Sequence, residues 1–179
     1  MSWHCMSHCG KDEKSAKEEI QRIPKSDHNA AHYFIETHLE AGRGEAIAFI
    51  EAASGKRISY STLSANSSKV AGALTRAGIK REERAVILML DSIDYVEVFW
   101  GCLKAGVIAV PINTLLAGAV YDTILSDSRA SCLFVSAALL QAVAPVLAKN
   151  DHIRKAIVVG DHPLEDGFES YQIFTKGAP

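Results

Sequence analysis

From Ser59 onward the chain alternates short, continuous apolar runs with amphipathic stretches, and this alternation most narrows the folds open to it. The apolar runs Ala85 to Leu90, Val107 to Pro111, Ser131 to Val135 and Ala156 to Val159 read as strands buried on both faces. Between them lie helical patterns. Ser59 is placed to cap a helix with Leu63, Val70, Ala71 and Leu74 on one side, Arg76 in its last turn and Gly78 at its end. Asp91 and Ser92 open a second helix, predicted to turn Ile93, Val96, Trp100 and Leu103 inward, with Gly106 just beyond its end. Ala117 to Asp127 and Ala137 to Lys149 read as two more, the latter disturbed by Pro145. Strands buried on both faces and joined by amphipathic helices predict a doubly wound, mainly parallel α/β sheet, because right-handed crossovers lay the helices over both faces.

Ahead of that unit the pattern differs. Residues 1–26 mix Lys, Glu, Ser and Asp without an apolar period, so they read as a flexible tail, and 27–179 as one α/β unit. Asp27 is placed to cap a helix with Ala31, Phe34, Ile35, His38 and Leu39 on one face, stopped by Gly42 and Gly44. Ala46 to Glu51 and Lys56 to Tyr60 flank Ala53-Ser54-Gly55, which predicts a β-hairpin.

Charge and hydropathy exclude several classes of function. The 19 Lys and Arg residues against 21 Asp and Glu give a net charge of −2, which offers no broad basic field for nucleic acid or anionic lipid. The most apolar stretch, Ala105 to Tyr121, is broken by Pro111, Asn113, Thr114 and Gly118, short of the roughly 20 apolar residues a membrane span needs. Met1 to Gly10 lacks the apolar centre of a secretory signal and Lys11 to Glu19 is too acidic for a transit peptide, so a cytoplasmic protein is expected. Cysteines stand at 5, 9, 102 and 132, the last two inside apolar runs, and imply no disulfide framework. A Walker-type phosphate loop, the zinc-protease helix, the serine-hydrolase elbow and a C-x-x-C pair are all missing.

Doubly wound sheets bind ligands at the carboxyl ends of their strands, which here are Asp91 with Ser92, the loop Ile112 to Leu116 and the turn at Ser136. Other clusters have simpler explanations. His4, Cys5, His8 and Cys9 repeat at helical spacing and have the right donors for Zn²⁺, but a terminal segment with little apolar anchorage reads first as a plain chain end. His28, His32 and His38 read as surface residues of the first helix. Asp91, Asp94 and Glu97 stand where carboxylates favour the positive end of a helix dipole, so capping outranks acid catalysis. Tyr95, Phe99 and Trp100, at helical spacing, read as packing. Gly42-Arg43-Gly44 precedes a strand and reads as a turn.

Several of these segments together resemble the N-terminal portion of the adenylate-forming acyl-CoA synthetases, most closely the benzoate-CoA ligase branch. Asn29-Ala30-Ala31, His38-Leu39-Glu40 and Gly42-Arg43-Gly44 resemble that branch's opening helix and turn. The run Ile58 to Leu63 resembles the family's first core motif and Leu103 to Asn113 its second. Met89-Leu90-Asp91-Ser92, Phe99-Trp100-Gly101, Asn113-Thr114-Leu115-Leu116 and Asp127-Ser128-Arg129-Ala130 extend the likeness across most of residues 28–160.

The resemblance implies that a complete enzyme of this kind uses ATP and Mg²⁺ to convert an aromatic carboxylic acid into an acyl-adenylate, then passes the acyl group to coenzyme A. The family's glycine-rich phosphate loop, metal-side Thr-Glu motif, ribose-binding Asp and C-terminal Lys lie downstream of the matched region, and Thr175-Lys176-Gly177-Ala178-Pro179 is not that loop. The chain is therefore expected to be a fragment that ends before the phosphate loop, bearing no catalytic residue, binding no cofactor alone and inactive by itself. By resemblance, Asn113, Thr114 and Leu115 border the coenzyme A side. Two positions depart from the pattern: Leu115 carries no charge where some relatives place an arginine, and Thr62 stands where Glu is common. Exposed apolar faces meant for the rest of the ligase would favour self-association. The alternatives are a non-catalytic α/β module that docks on a ligase and, last, a flavodoxin-like or receiver-like domain, for which the acidic pair and flavin phosphate loop are lacking.

Overall fold

The computed structural model describes residues 29–161, 163 and 166–178. The expected tail, the Asp27 cap, His28 and the His4, Cys5, His8 and Cys9 cluster lie outside the described residues.

The first helix begins with an Asn29 side chain that accepts the N–H of Ala31 at 2.9 Å and donates to the Leu103 carbonyl at 2.8 Å. A π-helical turn, His32–Glu36, runs into an α-helical one, Thr37–Glu40 (α1). The π turn breaks the predicted stripe: Ala31 and Ile35 are buried, while Phe34 is rotated out to 55% exposure. A hairpin follows, with β1 (Ile47–Ile50) antiparallel to β2 (Arg57–Ser59) and Gly55 at φ 72° in its connection.

The remaining elements are α2 (Tyr60–Arg76), β3 (Arg84–Leu88), α3 (Ile93–Ala105), β4 (Ile108–Pro111) and α4 (Gly118–Ser128). After β5 (Cys132–Ser136), a 3₁₀ turn at Ala137–Leu139 leads into α5 (Leu140–Leu147), which contains Pro145, and then β6 (Lys155–Val159). A short strand β7 (Phe168–Ser170) and helix α6 (Tyr171–Thr175), absent from the sequence-based expectation, complete the order. The predicted caps form as expected: Ser59 Oγ accepts Thr62 N–H and Ser92 Oγ accepts Tyr95 N–H, both at 3.2 Å. Thr62 Oγ1 lies 3.1 Å from Ser59 Oγ, a contact between side chains, whereas a capping-box carboxylate accepts from the backbone N–H of the cap.

Strands β3 to β7 pair in parallel in the order β4-β3-β5-β6-β7. Strict alternation along each strand sends side chains to two cores. Ala85, Ile87 and Met89 pack with Phe134, Ile157 and residues of α2, α3 and α6; Val86 and Leu88 pack with Leu133, Val158 and residues of α4 and α5. The sheet is doubly wound, as the residue pattern predicts.

The inward face of α3 is the main correction. Val98 and Cys102 face the sheet, whereas Ile93, Val96, Trp100 and Leu103 close a third cluster with Ile35, Ile58 and Leu63. Helix α3 thus lies between the sheet and the α1–hairpin layer. It approaches α2 closely at Gly101, where an added Cβ would fall 2.5 Å from Val70 Cβ and 2.9 Å from the Ser67 carbonyl oxygen. Among the described residues no helix is long and apolar enough to cross a membrane.

Candidate functional site at the carboxyl ends of the strands

The strand order makes β3 the strand at which the winding reverses. The chain leaves it through α3 on one face to reach the edge strand β4, then returns through α4 on the other face to β5. The turns after β3 and β5 therefore diverge, and a crevice opens between them. Ser136 Oγ bridges it by accepting the N–H of Leu90 at 2.9 Å.

Beside this bridge a cleft of about 280 Å³ is lined by Met89, Leu90, Asp91, Tyr95, Asn113 and Thr114, among others. The structure brings together the predicted ends of β3 and β4 but divides the predicted trio 113–115. Asn113 Oδ1 accepts Leu115 N–H at 2.8 Å, forming a turn that places Asn113 and Thr114 on the cleft and leaves Leu115 90% exposed, off its walls. The loop is steadied from below by Tyr121 Oη, which donates to the Asn113 carbonyl at 3.4 Å. Asn113 Nδ2 and Thr114 Oγ1 donate to no protein acceptor among the described residues, so this rim offers uncommitted hydrogen-bond donors.

Across Asp91 and Tyr95 a second, more apolar cleft of about 400 Å³ runs under the hairpin, with Phe49, Ile50, Ile93 and Val96 in its walls. The N-terminus of α3 between the two clefts is capped twice, by Ser92 on Tyr95 N–H and by Glu51 Oε1 on Ile93 N–H at 3.1 Å. Hydrogen bonds from Ser54 and Ile93 hold the Glu51 carboxyl below its usual range. Burial raises Asp94, with Lys56 opposing that rise, and burial together with Asp91 raises the Tyr95 phenol.

The placement expected of the carboxylate trio at the positive end of the helix dipole holds at Asp94 and fails at Glu97. Asp94 sits in the first turn, but the side chain that reaches into α3 from outside is Glu51, and Glu97 is buried at 6% exposure between α2 and α6. His32 lies 4.0 Å from Glu40, a carboxylate not anticipated for it, and His38 stacks on Tyr60 with ring centroids 4.0 Å apart. A further group missed from sequence joins α1, α2 and α3. Lys104 Nζ pairs with Glu36 at 2.6 Å and donates to Ser64 and Ser68, while Ser64 donates to Glu36. The lone Lys in the run Leu103 to Asn113 was its available signal.

The described residues contain no group of three or more His, Cys, Asp or Glu arranged to hold a metal ion. The buried thiols of Cys102 and Cys132 are pushed up by desolvation, Cys102 to about 12, which makes them inert packing groups.

Comparison with known proteins adds a direct relationship. The profile of the AMP-binding enzymes matches residues 36–175. The 4-hydroxybenzoate–CoA/benzoate–CoA ligase of Rhodopseudomonas palustris is 35% identical over 141 residues, covering 79% of this chain and 26% of that protein. In three dimensions the chain superposes on an anthranilate CoA ligase with anthranoyl-AMP bound, with a TM-score of 0.77, 29% identity, and coverage of 83% of this chain and 28% of that one. A benzoate CoA ligase of Burkholderia xenovorans gives a TM-score of 0.72 and 30% identity over 84% of this chain and 28% of that one. The chain thus spans about a quarter of the length of the relatives it matches.

Proposed function

The chain belongs to the family of AMP-binding enzymes, and on that premise we propose that residues 27–179 serve as the N-terminal α/β part of an AMP-forming ligase that activates an aromatic carboxylic acid and transfers it to coenzyme A. What supports the acid class is the matched relatives, which are named for benzoate, 4-hydroxybenzoate and anthranilate. A carboxylate resists attack by a thiol until one of its oxygens belongs to a good leaving group. ATP would supply that group: the carboxylate attacks the α-phosphorus, pyrophosphate leaves, and the thiol of coenzyme A then displaces AMP from the acyl carbon.

The residues in hand fit one part of this scheme. A phosphate-binding glycine-rich Ser/Thr loop is lacking from the 179 residues, and the described ones assemble no metal-ligand cluster, so ATP and Mg²⁺ are assigned to no residue of this chain. The cleft rim fits a polar chain rich in amides. Asn113 Nδ2 and Thr114 Oγ1 are donors without protein partners among the described residues, held by the Asn113–Leu115 turn on an edge of the crevice. We assign to Asn113 and Thr114 the coenzyme A side and to Leu115 the neighbouring solvent-facing turn, where its exposed side chain is available to a facing part of a complete ligase. The role of the segment is positioning: a rigid sheet holds this rim, and the chain alone turns over no acid.

The test is a chimera in which residues 36–175 replace the matching segment of the Rhodopseudomonas ligase, assayed beside the 179-residue chain alone. This reading expects acid-dependent AMP release from the chimera and none from the chain. The non-catalytic alternative expects an inactive chimera and a chain that co-purifies with an intact ligase.

A further inference from the structure

Glu97 is a buried carboxylate for which the ligase reading has no use. It projects from α3 into the seam between α2 and α6, and both its oxygens are engaged: Asn66 Nδ2 on α2 donates to Oε1 at 2.7 Å, and Tyr171 Oη on α6 donates to Oε2 at 3.1 Å. Neither partner is a cation. Among the described residues, Lys56 from the hairpin favours ionisation through space and Asp94 from its own helix opposes it, while on α2 Lys69 Nζ donates to Asn66 Oδ1 at 3.3 Å, one residue removed from the carboxylate. Burial is the largest influence and holds the Glu97 carboxyl above its usual range, with Asn66 and Tyr171 only partly offsetting it.

The element held by this contact is small. Helix α6 has five residues and follows a three-residue edge strand, β7. Beyond Tyr171 it is fixed by Phe174, whose ring meets Phe134 with centroids 5.8 Å apart, and by Arg76 Nη2, which donates to the Phe174 carbonyl at 2.5 Å. Short edge elements of this kind open locally before a core does. Closure of α6 takes the Glu97 carboxyl out of water.

We propose that Glu97 and Tyr171 form a proton-dependent latch on the β7–α6 segment: protonated Glu97 keeps the segment closed, and loss of that proton to solvent favours a locally open state in which the carboxylate is hydrated. With a proton on Oε2 the bond to Tyr171 reverses direction, Oε2 donating to Oη, and the contact buries no charge. The closed state binds the proton more tightly than the open one. The proton's contribution to closure is therefore fully present below the ordinary glutamate value of 4.5 and is lost as pH rises from there through the higher value of the closed state. This inference does not depend on the ligase reading.

Hydrogen exchange of the 179-residue chain between about pH 4.5 and about pH 8 tests it, reading the opening constant of residues 168–175 against that of β3. The wild-type opening constant should rise by up to about tenfold per pH unit and then level off. Glu97→Gln, which holds a neutral group in place, should be flat, and Asp94→Asn should keep the rise. A flat wild-type profile, or a rise in Glu97→Gln equal to wild type, overturns the proposal. Because Glu97→Gln could fail to fold, a carbon-detected NMR titration of the Glu97 carboxyl in the wild type gives a second reading. Its midpoint must coincide with the levelling of the opening constant, and separate midpoints overturn the latch.

Discussion

Ser136 Oγ accepts the backbone N–H of Leu90 at 2.9 Å, so a single hydroxyl ties the turn after β5 to the turn after β3 where the sheet's winding reverses. Ser136 is buried and Leu90 is 45% exposed, so the bond sits at the floor of the crevice with solvent above it. Ser136→Ala should lower the stability of the chain by about 1 kcal/mol, the usual cost of losing one such bond. Urea unfolding with an unchanged slope is the check, and exchange at the Leu90 amide should quicken with it.

The crossing of α2 and α3 is set by Gly101. Its missing Cβ leaves room for Val70 and the Ser67 carbonyl, and neither can retreat easily, since Val70 is fully buried and the carbonyl is backbone. Gly101→Ala gains helix propensity but should still destabilise the chain by about 1–3 kcal/mol through overpacking, measurable as a fall in the urea midpoint. A neutral or stabilising result would mean that the two helices slide apart without loss.

The Glu36–Lys104 pair carries a pH signature. Partial burial would raise the Glu36 carboxyl, but hydrogen bonds from Lys104 and Ser64 outweigh it, and the group ends below its usual value of 4.5. A lowered folded value means stability that is present above the unfolded value and lost as pH falls through the folded one. Lys104→Met should cost about 1–3 kcal/mol at neutral pH, since it leaves a half-buried carboxylate without its cation. The gap from wild type should narrow as pH drops below about 4.5, as wild type loses what the variant has already lost. Chemical denaturation at a series of pH values gives both curves.

Arg129 ends α4 in the left-handed region at φ 47°, where a Cβ is unwelcome. Arg129→Gly should therefore stabilise the chain by about 0.5–1 kcal/mol, the relief of the left-handed strain exceeding the added freedom of the unfolded chain. Thermal unfolding of the single variant measures the balance.

Local chemistry was legible in the sequence and distant partnership was not. Ser59, Ser92, Gly78 and Gly106 could be placed because a cap is a relationship within a few residues, and the structure has Ser59 and Ser92 as N-caps and Gly78 and Gly106 at positive φ. The doubly wound sheet is legible for the same reason, since β3 to β6 each stand out as an apolar run, whereas β7, Phe168-Glu169-Ser170, is too short and polar to do so. The faces of α3 are not legible in the sequence because Ile93, Val96, Val98, Trp100, Cys102 and Leu103 surround the helix, and a helix apolar on most sides does not reveal which neighbour lies where. The role of Glu97 is not legible in the sequence because its partners, Asn66 and Tyr171, lie 31 and 74 residues away. At the crevice, the loop 112–116 was located by topology, but the turn that separates Leu115 from Asn113 and Thr114 depends on one side-chain oxygen.

The most direct test of the central claim is benzoate-dependent acyl-CoA formation by the chimeric ligase carrying residues 36–175 of this chain, with and without Asn113→Ala and Thr114→Val together. The chimera should be active, and the paired substitution should raise KM for coenzyme A by roughly tenfold, the worth of about 1.4 kcal/mol of lost hydrogen bonding, while benzoate-dependent pyrophosphate exchange is unchanged. A folded chimera that forms no benzoyl-adenylate would contradict the ligase assignment, and an active one whose KM for coenzyme A ignores both substitutions would contradict the site.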